Sequence, residues 1–151
     1  MPTIRCSTWV NAPLAHVVEV AQDNASFPEF MQDVKSLDIV EREGGRVVSD
    51  WVGMIPQFML KVRWRQEDVW DLEANTCTFR QLEGDYDSMS GEWRFTEENG
   101  GTRFDSIVDY EYRVPGLGPL VAKVVQKIVQ ANLDNVLEAI KRRAEGSEAE
   151  P

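Results

Sequence analysis

The sequence predicts an α+β domain ordered β-α-α-β6-α, in which a curved antiparallel sheet of seven strands wraps one long C-terminal helix. Three observations lead there. One alternating apolar run precedes two short helical segments. Six further alternating runs, divided by short polar turns, fill residues 34–113, and a single long helical pattern follows them. One helix cannot cover seven strands unless the sheet bends around it, and a bent sheet leaves space beneath the helix.

The first strand is "TIRCSTWV" (3–10), with Ile4, Cys6, Thr8 and Val10 on one face. "NAPLAHVVEVAQD" starts a helix at Pro13, a residue tolerated in a first turn, and Leu14, Val17, Val18 and Ala21 form its apolar stripe. "SFPEFMQ" follows as a short helix with Ser26 as its cap. The turns "EGG", "GMIPQ", "EAN", "EGD" and "ENGG" then delimit strands at about 34–43, 46–55, 59–70, 76–83, 88–97 and 102–113. From Pro119 to Glu145 the chain reads as a helix roughly 39 Å long, with Val121, Val125, Ile128, Val129, Val136 and Ile140 in one stripe and Asn132 near its centre. Residues 1–145 are expected to form a single domain, and 146–151 a disordered acidic tail.

Placing charges outward sets the strand phases. Arg63, Arg65 and Glu67 outward turn Trp64 and Gln66 inward; Asp50 outward turns Ser49, Trp51 and Gly53 inward. Arg80 outward turns Cys77, Phe79 and Gln81 inward, and the outward charges of the last strand leave Phe104, Ser106, Val108, Tyr110 and Tyr112 inside. In "GDYDSMSGEWRF" (84–95), Met89, Gly91, Trp93 and Phe95 share the apolar face. A glycine beside a tryptophan there is expected to bend the strand or to leave volume.

Five neutral polar side chains, Ser49, Gln66, Gln81, Ser106 and Asn132, are thus phased inward among aromatic rings. A dry core rarely takes so many, because each one buried without a partner costs about 1–3 kcal/mol. Apolar walls with a few convergent polar groups describe a small-molecule cavity. The expected lining is Ser49, Trp51, Trp64, Gln66, Phe79, Gln81, Met89 and Trp93, then Phe104, Ser106, Val108 and Tyr110, with Val125, Ile128, Asn132 and Val136 from the helix. Two apolar loops, "GMIPQFM" and "VPGLGPL", are expected as gates through Met54, Ile55, Phe58 and Leu117.

Composition excludes several classes. At 151 residues the chain has the size of one domain and buries roughly 70% of its unfolded surface without staples. Cys6 and Cys77 match no metal or redox spacing and are expected as free thiols. No secretory signal pattern or run of about 18 apolar residues is present, so a cytoplasmic protein without stable membrane insertion is expected. The net charge of −10 disfavours nucleic acid and anionic membrane surfaces. His16, the single histidine, points away from the stripe of its helix and is expected on the surface, which removes the commonest general base and most metal sites. "GLG" (116–118) lacks the residues of a phosphate loop. Asp85, Asp87, Glu97 and Glu98 read as solvated turn charges; by phase only Asp68 could project inward, near a strand end. Neither metal nor cofactor is expected.

The order of elements resembles the helix-grip fold of the START and Bet v 1-like superfamily. "VNAP" closing the first strand and "FPEF" in the second helix look like its entry segment. "GDYDSMSGEWRF" looks like the G-x-F…L-x-G-x-W-x-F strand of the polyketide cyclase/dehydrase and coenzyme Q-binding START branch, and "GGTRF" before the last strand continues the likeness, which covers about residues 3–145. A cavity without histidine or nucleophile points to a non-catalytic carrier of a lipid, quinone or aromatic polyketide-like compound. The resemblance also implies an alternative, an aromatase/cyclase or dehydratase, for which Tyr110, Gln81, Ser106 and Asn132 are the candidates. A third possibility is a protein-binding module docking a chaperone or respiratory partner. Trp9 and Trp70 take no role in this reading beyond a simple shielding of strand edges.

Overall fold

Outward charges at alternate positions hold one face of every strand in water, and the computed structural model follows those phases; it describes residues 3–31, 34–55, 59–112 and 119–149. Strands β1 (Thr3–Val10), β2 (Val34–Glu43), β3 (Arg46–Ile55), β4 (Leu60–Asp71), β5 (Thr76–Gly84), β6 (Ser88–Glu98) and β7 (Gly101–Glu111) form one antiparallel sheet in the order β1-β7-β6-β5-β4-β3-β2. The chain leaves β1 for the opposite edge and then meanders back to close beside it. Helix α1 (Leu14–Gln22), a 3-10 turn (Asn24–Ser26) and α2 (Phe27–Phe30) occupy the crossing, and α3 (Pro119–Ala149) follows β7.

Register shifts bend the sheet, at Val34/Ser36 and Ile39/Glu41 in β2 and at Arg65/Gln66 where β4 meets β5. Helix α3 packs on β1 and α1 across the concave face. Ile4, Val10, Val17, Phe27, Phe104 and Ile140 are among the fully buried side chains of the resulting core. On the convex face the charges pair: Arg65 Nε lies 2.8 Å from Asp50 Oδ1, and Glu67 takes Arg46 at 2.6 Å and Arg80 at 3.0 Å.

The end of α3 differs from expectation. The helix continues through Gly146 to Ala149, where a disordered tail was expected from residue 146. Glycine stops a helix by taking a left-handed conformation, and Gly146 is not among the glycines with positive φ. No helix of the described residues is long and apolar enough to cross a membrane.

Candidate functional site

Rigid rings on neighbouring strands meet edge to face or offset and do not interdigitate as aliphatic chains do. Trp51 of β3 stacks on Trp64 of β4 at 5.5 Å, and Phe27 meets Trp51 edge-on at 6.0 Å. Phe79 of β5 meets Trp93 of β6 at 6.0 Å, and Tyr86, from the β5–β6 turn, sets its ring against Trp64 at 5.5 Å and Tyr110 at 6.4 Å. Between these rings and the middle turns of α3, where Val129, Asn132, Leu133, Val136 and Leu137 face the sheet, lies a cavity of about 150 Å³. It is bounded by packed ends. On one side Phe95 and Phe104 stack at 4.6 Å within the core that also buries Ile140 and Ala144. On the other, Val62 and Ile128 pack together against Trp64, Tyr86 and Tyr112.

One hydrogen-bonded polar cluster in the cavity lining centres on Asp68. Its carboxyl is buried, with 6% of the residue exposed. Trp64 Nε1 donates to Gln66 Oε1 at 2.9 Å, and Gln66 Nε2 donates to Asp68 Oδ1 at 2.7 Å. The indole can only donate, so it fixes which way the Gln66 amide points. Asn24 Nδ2 donates to Asp68 Oδ2 at 3.3 Å, while the buried Asn24 Oδ1 has no hydrogen-bond partner. Burial pushes the Asp68 carboxyl up to about 6; the Gln66 and Asn24 hydrogen bonds oppose that rise, and Glu67 adds to it. Burial likewise raises the phenols of Tyr86 and Tyr110 and the thiol of Cys77, where the charge of Asp68 adds. At neutral pH the cavity therefore holds one ionised acid. No Lys, Arg or His is among its described lining residues.

Of the positions expected to line the cavity, Trp51, Trp64, Gln66, Phe79 and Met89 do so, as do Trp93, Val108, Tyr110, Asn132 and Val136. Six others lie elsewhere. Ser49 is fully buried and accepts the Trp51 indole N–H at 2.8 Å. Gln81 pins the β5–β6 turn, donating to Tyr86 O at 2.9 Å and accepting from Tyr86 N at 3.2 Å. Ser106 sits in the packed sheet opposite Cys6 and Trp93, its buried hydroxyl without a partner, and Phe104 stacks in the core. Val125 and Ile128 are buried in the packed regions flanking the cavity. Of the four candidates for catalysis, Tyr110 and Asn132 thus reach the cavity, and Gln81 and Ser106 do not. Gly91 also leaves no volume: a Cβ there would come within 2.5 Å of both the Phe79 ring and the Ile107 carbonyl oxygen.

Among the gate residues, Met54 borders the cavity and its carbonyl lies 3.5 Å from Asn132 Nδ2. The Ile55 side chain, Phe58 and Leu117 lie outside the described residues. His16 is half-buried, with its Nε2 enclosed and unpartnered, because α1 is covered by α3 as well as by β6 and β7. Trp70 is no edge shield. It stacks on Phe95 at 6.1 Å and lines the cavity, because β4 is an interior strand. Trp9 reaches from β1 over Gly101 of β7 and donates its indole N–H to Glu98 O of β6 at 2.8 Å.

Several lining residues escape a reading of the sequence. Trp70 shares the phase of Trp64 and Gln66, which is the signal that could have found it; Asp68, the one carboxylate whose phase allows an inward position, does line the cavity. Val34 is hidden by the bulges of β2, Tyr86 by its place in a turn, and Asn24 by its place between helices.

The model of the polyketide cyclase / dehydrase and lipid transport family matches residues 10–141. Compared with curated proteins, the chain matches none. Among solved structures, the protein TTHA0849 from Thermus thermophilus is 35% identical at a TM-score of 0.91, with 97% of this chain and 99% of that one covered. The Zhui aromatase/cyclase from Streptomyces sp. R1128 is 23% identical at a TM-score of 0.86, over 95% and 93% of the two chains. A START superfamily protein from Mycobacterium smegmatis is 16% identical at a TM-score of 0.78, over 96% and 98%. The last two likenesses are of fold, and the architecture is the helix-grip fold of START and Bet v 1-like proteins.

Proposed function

The chain belongs to the polyketide cyclase / dehydrase and lipid transport family, and we propose that this protein binds a small, largely apolar molecule in the cavity between its sheet and α3. One observation carries this reading: a void of about 150 Å³ walled by aromatic rings, with a hydrogen-bonded polar cluster at Asp68 in its lining. A dry apolar void of that size accepts benzene in other proteins. The fit is therefore to one ring, or to the ring end of a lipid, quinone or polyketide-like compound; a larger body would have to displace α3 or the neighbouring Met54 segment.

Native mass spectrometry of freshly purified protein, followed by organic extraction, tests the reading. A reproducible apolar adduct, or one gained on exposure to single-ring compounds, is the expected result. A clean unliganded mass that no lipid, quinone or aromatic panel changes would overturn it.

A second reading, cyclisation or dehydration of a bound chain, is favoured by Asp68 alone, an acid poised near neutrality inside the cavity. In that case Asp68→Asn abolishes turnover of a poly-β-keto substrate while leaving its binding intact. Unchanged turnover would exclude Asp68 as the proton donor.

A further inference from the structure

A buried carboxylate normally has a cationic partner, because removing an isolated charge from water is costly. Asp68 has none among the described residues. Its two hydrogen bonds come from the neutral amides of Gln66 and Asn24, and no Lys, Arg or His lines the cavity beside it. Asn24 adds a second anomaly, a buried acceptor oxygen with no donor, on a residue only 4% exposed. Both deficits are of one kind. Beside the two amide donors, this end of the cavity offers one negative charge and one vacant acceptor, with no cation among its described lining residues.

The walls facing this end suit the same complement. The stacked indoles of Trp51 and Trp64 and the rings of Phe27, Phe79 and Trp93 all border the cavity. Aromatic faces carry negative potential and attract cations, the more so when water is excluded. A hydroxyl would satisfy Asn24 Oδ1 but leave the carboxylate uncompensated. A hydrocarbon would satisfy neither.

Resting on the reading of the cavity as a ligand site, we propose that its occupant is a small lipophilic ammonium: a protonated amine on a single-ring-sized apolar frame, whose N–H groups meet Asp68 and Asn24 and whose body lies among the indole and phenyl rings. The amide of Gln66, held by the Trp64 indole, orients the Asp68 carboxylate for that contact. The carboxylate supplies the counter-charge and the rings exclude water.

Titration sharpens the expectation. Asp68 must be ionised to pair, so binding weakens as pH falls through about 6. The other titratable lining groups, Cys77 on β5, Tyr86 in the β5–β6 turn and Tyr110 on β7, are all raised by burial and remain neutral throughout. Glu67 points to the convex face, paired with Arg46 and Arg80, and the polar lining residue of α3 is the neutral Asn132.

The test uses three probes of nearly equal size on the full chain: benzylamine, benzyl alcohol and ethylbenzene, with binding read by calorimetry or indole fluorescence. At about pH 7.5 benzylamine should bind about tenfold or more tighter than either neutral probe, and that advantage should vanish near pH 5. In Asp68→Asn the amine should lose its advantage while ethylbenzene binds as before. The comparison of probes and of pH values in the unsubstituted protein decides the matter even if that variant folds poorly. Benzyl alcohol or ethylbenzene binding as tightly as benzylamine would overturn the ammonium assignment and leave the cavity reading standing. Binding of none of the three would remove both.

Discussion

Asp68 concentrates the consequences at the scale of one residue. Its folded value of about 6 lies above the unfolded value of 3.8. A raised carboxyl costs stability wherever it must ionise, so the penalty is full above about pH 6 and absent below the unfolded value. A rise of that size corresponds to roughly 3 kcal/mol. Asp68→Asn is therefore expected to be more stable than the parent at about pH 7.5, by roughly 1–3 kcal/mol, and the difference should close near pH 4. Urea titrations of both proteins at the two pH values measure it. The difference is the right quantity, because Asp50, Glu67 and Glu145, each lowered chiefly by a hydrogen bond from a paired cation, give the parent an opposite trend.

At the scale of elements, the β5–β6 turn and α3 behave differently from a simple alternating strand and striped helix. The β4–β5 register steps from Arg65↔Glu83 to Gln66↔Gln81, leaving Leu82 outside the pairing and exposed. Gln81 is freed to hold Tyr86 by both backbone groups, and that clasp carries the Tyr86 ring into the cavity wall. Gln81→Ala should cost about 1–3 kcal/mol and speed amide exchange at Tyr86, as hydrogen-exchange NMR would show. Along α3 the cost of truncation should vary with position. Ile140, fully buried in the packed end, should lose about 2–5 kcal/mol on change to Ala. Leu133, which borders existing space, should lose less and admit larger ligands in the same denaturation and binding assays.

For the whole molecule, a ligand that enters only the folded cavity stabilises the fold by mass action. At a hundredfold excess over Kd the gain is about 2.7 kcal/mol. For a chain of this length that corresponds to a rise in Tm of roughly 5–10 °C, which scanning calorimetry at several ligand concentrations would resolve. No rise at any concentration would show that the compound does not bind the folded protein.

The sequence by itself determined the strand phases, because period-two alternation is a property of neighbours: Asp50 outward is enough to send Ser49 and Trp51 inward. The order of elements followed from the turns in the same local way. Which inward residues pack and which border empty space was decided by tertiary structure. Phe104 and Trp64 have the same phase, yet one stacks on Phe95 beside Ile140 and the other faces a void below Asn132. The separation of α3 from a bulged sheet sets that difference, and no window of sequence contains it. Asn24 meets Asp68 across 44 residues. An acid that phase alone allows to turn inward near a strand end becomes the buried, amide-bonded acid of the site only because the chain crosses over it.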